Sequence, residues 1–284
     1  MKMIRKILTL FLECLVTIEV LICIGHLPTL FANLGFQLKD FFHSVTDFTV
    51  RFFTFQPFTY NVAGTTVPLF PTILQKYLYS MEILVLGVLT ATAIAFLFTY
   101  LTLLLFREKM DIIKKIMDLG ESIPDLIFIL LVQMLVIFIY KKTGIRVAQV
   151  VSLNQKVLLL PIISLAVPNS FYIAKVMILY IEEEFNKDYV TLVKSKGFSF
   201  SYIFNIHVLR NIAERMFITS KTMIWTMLST LVIAEKLFNM NALINLMLSG
   251  TDTFIIGCIL IFIPFFILYR IFEWVSFYNG KDAR

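Results

Sequence analysis

The segment Glu182–Arg215, EEEFNKDYVTLVKSKGFSFSYIFNIHVLRNIAER, is the longest charged interruption in an otherwise apolar sequence. It lies between the apolar runs Val157–Ile181 and Met216–Phe238, and each run is long enough to cross the hydrocarbon core of a bilayer. The pattern therefore predicts two membrane spans joined by a segment that lies in water.

The first part of the segment predicts a short amphipathic helix. Tyr189, Leu192 and Val193 recur at the i, i+3, i+4 spacing of one helical face. Gly197 is expected to end this helix, because glycine readily adopts the positive φ that follows many helices.

A second amphipathic helix is predicted after the glycine. Ser199 or Ser201 can cap its N-terminus. Its predicted apolar stripe consists of Tyr202, Ile206, Leu209 and Ile212. A helix–glycine–helix segment can be a structured connection only, or a surface that docks a soluble partner, and periodicity alone supports both interpretations.

The composition indicates a membrane protein. Of the 284 residues, 59% are hydrophobic and 15% are charged, whereas soluble domains carry about a quarter charged residues. The net charge of +6 would suggest nucleic acid in a soluble protein. Here the basic residues lie in short loops, so membrane topology explains them and lipid, not nucleic acid, is the expected partner.

Six membrane spans and an all-α fold are predicted. The spans are Ile7–Leu27, Met81–Phe106, Ile123–Tyr140, Val157–Ile181, Met216–Phe238 and Phe254–Val275. The first run follows basic residues, as in a signal peptide, but it is long and lacks a small-residue cleavage site, so we expect an uncleaved span. Residues 107–121 are expected to form a basic loop. Fourteen lysines and arginines fall in the predicted inner segments and seven in the outer ones, which predicts that both termini are cytoplasmic.

An amphipathic helix is also predicted between the first two spans. Its apolar residues recur at helical spacing and are Leu34, Leu38, Phe41, Val45, Phe48 and Phe52. We expect this helix to lie on the outer membrane face or against neighbouring spans.

Several ionisable residues fall within predicted spans. A carboxylate there costs about 2.5–3.5 kcal/mol on insertion scales, so Glu19 is expected to face protein or a water-filled path. Glu13 and Lys175 lie near the cytoplasmic ends of their spans, where long side chains can reach the interface. Glu19 and Glu235 are candidate pathway or gate residues.

The sequence of residues 188–211 resembles the cytoplasmic loop of ABC-importer permeases of the oligopeptide, dipeptide and nickel type. The matching residues are Asp188, Tyr189, Val190, Lys196, Gly197, His207, Leu209, Arg210 and Asn211. Two positions depart from that pattern: Val193 replaces an alanine, and Arg215 replaces a proline.

Other stretches carry the same resemblance. They are Ser122-Ile123-Pro124, LLLPIISLAVP at 158–168, and VIAEKLFNMNAL at 232–243, in which Glu235, Phe238 and Leu243 match and Ala242 replaces a glycine. The resemblance divides the chain into residues 1–71, a first span with an extracytoplasmic amphipathic segment, and residues 72–284, the core permease domain.

The resemblance implies a type I ABC-importer permease in the bacterial cytoplasmic membrane. Such a subunit forms the pathway for peptides or a related small solute, with nickel or metal chelates as the alternative cargo. The implied partners are a second permease subunit, two cytoplasmic ATPases that bind ATP and Mg²⁺, and an extracytoplasmic solute-binding protein. The implied ATPase-coupling residues are Asp188, Tyr189, Val190, Leu192, Val193, Lys196, Gly197, His207, Arg210 and Asn211.

The residues leave two other classes open. An ion- or proton-coupled secondary transporter would use Glu13, Glu19 or Lys175 as coupling groups, and a non-transporting scaffold or sensor would keep the loop alone. The sequence contains no GxxxxGK[ST], HExxH or GxSxG motif, and its three cysteines show no metal or disulfide spacing. We therefore expect no catalysis, metal or cofactor on this chain.

Overall fold

The computed structural model describes residues 2–62, 64–106, 109–151 and 156–279, with side chains except at 2–4, 6, 7, 32–34 and 271–279. The helices are α1 (Lys2–His26), α2 (Leu38–Phe53), α3 (Thr72–Leu105), α4 (Met110–Glu121), α5 (Asp125–Thr143), α6 (Leu159–Phe185), α7 (Asp188–Ser195), α8 (Phe200–Tyr202), α9 (Leu209–Leu237), α10 (Leu243–Met247) and α11 (Thr251–Asn279). A 3₁₀-helix spans Leu27–Leu34, and a π-helix spans Ile203–Val208. Strands β1 (Thr59–Val62) and β2 (Thr65–Pro68) form an antiparallel hairpin with Thr59 opposite Pro68.

The prediction of six spans is confirmed. Within the described residues, six helical stretches are long and apolar enough to cross a membrane. They are Leu8–Phe31, Thr72–Leu105, Asp125–Thr143, Leu159–Phe185, Phe200–Leu237 and Thr251–Arg270. The fifth stretch starts well before the predicted Met216, because the helix begins inside the charged segment.

Contacts divide the chain into two compact units. The first comprises Met1–Tyr79 and Ala242–Arg284, and the second comprises Ser80–Asn241. The boundary at residue 72, which the sequence suggests for a core permease domain, remains a prediction.

The first unit contains the predicted amphipathic helix, which is α2. Val45 and Phe48 are buried and Phe41 and Phe52 are half-buried, so four positions of the predicted stripe pack inward. Leu38 is exposed, and the side chain of Leu34 lies outside the described residues. The helix packs against α1, where the imidazole Nε2 of His26 is 3.1 Å from the backbone oxygen of Ser44.

Two carboxylates of the first span have partners within the same unit. The Glu13 carboxylate pairs with the guanidinium of Arg270 on α11. This ion pair joins two spans, and both side chains remain partly exposed. The Glu19 carboxylate accepts a hydrogen bond of 3.2 Å from the Thr49 hydroxyl on α2.

The second unit contains a helix where the sequence predicted a loop. Residues 110–121 form α4, which packs against α6 and buries Ile113 and Met117 one turn apart. The sequence did not predict this helix, because five of its twelve residues are charged and only two of its side chains are buried. Lys175, expected to reach the interface, contacts Asp118 and Glu121 of α4.

Candidate functional site: the Glu182–Arg215 segment

The backbone of the Glu182–Arg215 segment follows the predicted helix–glycine–helix pattern. α7 runs from Asp188 to Ser195. The acidic Asp188 lies in its first turn, where a negative charge interacts favourably with the positive end of the helix dipole. Gly197 has a φ of +80°, a conformation that residues with a Cβ rarely adopt. The Ser199 side chain accepts a hydrogen bond of 3.4 Å from the Tyr202 amide and caps the second helix.

A buried carboxylate joins the two halves of the segment. Glu184, at the end of α6, is only 1% exposed. Its Oε1 accepts hydrogen bonds from the Tyr189 hydroxyl at 2.7 Å and from the Asn211 amide at 2.9 Å. Its Oε2 lies 2.6 Å from the Lys187 ammonium. This carboxylate therefore connects α6, α7 and α9 through charge-assisted bonds, which are stronger than neutral ones.

The Tyr189 phenol is held in its neutral form. Burial, and then its hydrogen bond to the Glu184 carboxylate, raise the pKa of Tyr189 to about 12. The Asn211 amide also donates to the phenol oxygen at 3.0 Å. Because the phenol donates to one neighbour and accepts from the other, the three side chains form a closed set of hydrogen bonds.

Apolar contacts hold the segment against the spans of its own unit. The buried residues of this cluster are Leu103, Met177, Ile181, Val190, Ile203, Phe204, Val208 and Ile212. Tyr189 and Val193 are half-buried against the cluster. Tyr189 and Val193, two of the three residues on the predicted apolar face of α7, thus contact their own chain.

The buried face of the second helix differs from the predicted stripe. Of the predicted stripe, Ile212 is buried and Leu209 half-buried, but Tyr202 and Ile206 are exposed. Ile203, Phe204 and Val208 are buried instead. The cause is the π-helix Ile203–Val208, which closes with a hydrogen bond from the Leu209 amide to the Phe204 carbonyl. A π-turn holds more residues than an α-turn, so an α-helical period assigns the wrong residues to the core.

Four apolar side chains of the segment remain exposed. They are Leu192, Phe198, Tyr202 and Ile206. Leu192 is 58% exposed, whereas Val190, two residues earlier on α7, is buried. The rings of Phe198 and Tyr202 stack with centroids 4.6 Å apart. Exposed apolar side chains on a helix held rigidly by buried bonds are suited to binding a partner.

Arg215 has a defined role at the position where it replaces the proline of the resembled pattern. Its guanidinium lies 2.7 Å from the Glu183 carboxylate and 4.0 Å from the centroid of the Tyr180 ring. Arg215 therefore joins the start of α9 to the end of α6.

The other predicted coupling residues lie around this core. Lys196 and Arg210 are exposed. His207 is half-buried, with its ring centroid 5.9 Å from Tyr202 and 6.4 Å from Tyr189. Whether these residues contact an ATPase remains a prediction.

The second unit also contains polar side chains within its spans. Glu235, the predicted gate residue, is fully buried and accepts a hydrogen bond of 2.5 Å from the Ser80 hydroxyl. The Asp125 carboxylate pairs with the Thr230 hydroxyl, and Thr226 donates to the Asn169 side chain at 3.1 Å. Sequence analysis missed Asp125 and Asn169, although a polar residue in an apolar run is a recognisable signal.

Metal chemistry finds no support in the described part of the chain. Among those residues, no three His, Cys, Asp or Glu side chains come close enough together to hold an ion. His26 and His43 lie on α1 and α2 of the first unit, and His207 lies in the second unit.

These features define a multi-pass membrane protein whose fourth and fifth spans are joined by a partly apolar segment packed against its own unit. Residues 109–275 match the family model described as the binding-protein-dependent transport system inner membrane component. This match covers more than half of the 284 residues, so the chain belongs to that family. It is a permease component of an ABC importer with the type I permease fold, and it works with other subunits. A comparison with curated proteins gave no match.

Proposed function

We propose that this chain forms part of the translocation pathway of an ATP-driven importer in a bacterial cytoplasmic membrane. The Glu182–Arg215 segment is its contact with a cytoplasmic ATPase. The observation that carries this proposal is a set of hydrogen bonds from Tyr189 and Asn211 to the buried Glu184 carboxylate, combined with an exposed apolar surface on the same segment. Binding to a groove costs less when the anchors are already ordered, and the hydrogen bonds to Glu184 keep them ordered.

The mechanism we propose is alternating access. Closure of two ATPase subunits on ATP and Mg²⁺ displaces the segment, and its buried bonds transmit the displacement to α6 and α9. A second permease subunit completes the pathway, and an extracytoplasmic solute-binding protein delivers the cargo. ATP hydrolysis takes place on the ATPase subunits.

Peptides are the cargo class we propose, and the likeness of the segment to oligopeptide and dipeptide permeases supports it. Nickel or a metal chelate is the alternative within the same group. Uptake of labelled di- to pentapeptides and of nickel into proteoliposomes that contain the assembled transporter separates the two. Competition by unlabelled peptide, but not by nickel, is the expected result.

Co-purification tests the functional class. The tagged chain, expressed with its transporter subunits, is expected to retain an ATPase, and solute uptake is expected to require ATP. Uptake by the chain alone, driven by a proton or ion gradient, would instead support a secondary transporter. Retention of an ATPase without any uptake would support a scaffold or sensor.

A further inference from the structure

The helix α4 is fastened to the inner half of α6 at two levels. Near the end of α6, the Lys114 ammonium lies 2.5 Å from the Glu182 carboxylate. Two turns earlier on α6, the Lys175 ammonium lies 2.6 Å from Asp118 and 3.0 Å from Glu121. Residues 175 and 182 are about 10 Å apart along a helix axis, so the ion pairs fix both the position and the direction of α4.

Close packing adds a third point of attachment. A Cβ at Gly120 would lie only 2.7 Å from the Phe171 ring, so the absence of a side chain allows the end of α4 to touch α6. Ile113 and Met117 are buried in the same helix. The two helices are therefore joined by apolar packing as well as by the ion pairs.

The Lys175 ion pairs are partly exposed, with 32% of the Lys175 side chain accessible. Lys175 lies within the apolar run of the fourth span, followed by six apolar residues before Glu182. Each exposed pair contributes little alone, but one lysine bound to two carboxylates of α4 restricts the relative position of the two helices. Separating α4 from α6 would leave Lys175 and two carboxylates unpaired, which favours joint movement of the two helices.

Helix α4 ends shortly before the third span begins. No helix covers Ser122–Pro124, and α5 starts at Asp125. Proline has no amide hydrogen to continue the backbone hydrogen bonds, so this break between helices is a natural hinge. Beyond it, the side-chain hydrogen bonds of α5 lead to α9, through Asp125 to Thr230 and through Gln133 to the Leu237 carbonyl.

We propose that α4 and the inner half of α6 move as one arm, with Ser122–Pro124 as the hinge. In this proposal Lys114, Glu182 and Lys175 are positioning residues that carry displacement of the Glu182–Arg215 segment to α4. The arm would thereby move relative to the third span, because α5 keeps its bonds to α9. This inference rests on the proposed function, because it requires an ATPase that displaces the segment.

Charge exchange tests the ion pair in the assembled transporter. Lys114→Glu and Glu182→Lys are each expected to keep the ATPase bound but to lower uptake per ATP hydrolysed by about fivefold or more, the lower bound of typical coupling between sites. The double variant Lys114→Glu/Glu182→Lys is expected to restore most of this ratio. Lys115→Glu, an exposed change on the same helix, is the matched control.

Distances measured in an otherwise unaltered transporter test the arm without disturbing its charges. Spin labels at Ile116 on α4 and Leu179 on α6 occupy exposed positions, as does a label at Leu131 on α5. The 116–179 distance is expected to be the same with and without ATP, whereas the 116–131 distance is expected to change.

Three results overturn the inference. The first is a 116–179 distance that changes with ATP, and the second is a 116–131 distance that stays constant while uptake proceeds. The third is wild-type uptake per ATP in both single charge variants. These results leave the proposed function intact, because the ATPase would still bind and drive uptake. If the wild-type chain binds no ATPase at all, the proposed function and the inference fail together.

Discussion

Asn211 donates its side-chain amide to the Glu184 carboxylate at 2.9 Å, across 27 positions of the chain. This bond connects the start of α9 to the end of α6 and includes the Tyr189 hydroxyl between them. Glycine at 197 and the π-helix after it allow the chain to reverse direction between these two ends. The hydrogen bonds among Glu184, Tyr189 and Asn211 explain how a segment of short helices is held in one conformation.

Glu184→Gln is expected to loosen α7. The variant removes the charge that Lys187, Tyr189 and Asn211 share, and a hydrogen bond to a charged group contributes about 1.5–3 kcal/mol. Amide hydrogen exchange across Asp188–Ser195 should therefore accelerate. Glu183→Gln is the control, because Glu183 is exposed and surface ion pairs contribute little. Equal acceleration in both variants would contradict the role assigned to Glu184.

Gly197→Val is expected to uncouple transport. A β-branched residue at φ +80° is strained by about 1–2 kcal/mol or more, although no neighbouring atom would clash with its Cβ. Substrate-stimulated ATP hydrolysis and uptake should fall together in proteoliposomes. Gly197→Asn should retain more of both activities, because asparagine tolerates the left-handed conformation. Equal loss in the two variants would show that the backbone conformation is not the cause.

Leu192→Asp is expected to release the ATPase during purification. Leu192 is exposed on the segment, and replacement of an apolar anchor at an interface commonly costs about 2 kcal/mol or more. Thr191→Asp adds the same charge at the neighbouring exposed position and should retain the ATPase. A complex that survives purification equally well with either variant would exclude Leu192 as an anchor.

Glu13→Gln is expected to lower the amount of correctly assembled protein in the membrane. The change removes the negative charge from the ion pair with Arg270, and a charge that loses an opposite charge in a span is costly. Arg270→Gln should have a similar effect through Glu13. The double variant should assemble better than either single one, as measured by detergent-resistant yield on size-exclusion chromatography. Additive losses would show that the pair does not stabilise the fold.

Labelling of single cysteines tests the membrane orientation. In a cysteine-free background, Thr65→Cys on the hairpin should react with an impermeant thiol reagent on intact cells. Ser199→Cys should react only after the membrane is opened, because the excess of basic residues predicts that its segment is cytoplasmic. Both positions are exposed, so access to the reagent depends on the side of the membrane. Labelling of Ser199→Cys alone in intact cells would reverse the orientation.

The sequence by itself determined the features that depend on neighbouring residues. Runs of apolar residues long enough to span a bilayer gave six spans, because the length and composition of each run decide its insertion. Gly197 predicted the left-handed turn, since a positive φ is a local property of the backbone. The motif of residues 188–211 indicated an ABC-importer permease, which the match over residues 109–275 confirms, whereas the peptide or nickel type remains a prediction.

The tertiary structure decided which faces of these helices are buried and which charges meet. The π-helix at Ile203–Val208 changed the buried face from the predicted stripe, and α4 formed where a charged loop was expected. Glu13 and Arg270 are 257 positions apart, and Lys175 and Glu121 are 54 apart. A local sequence pattern cannot predict such pairs, because the distance between the two charged groups depends on how whole helices pack. Packing therefore determined which face of the Glu182–Arg215 segment stays exposed.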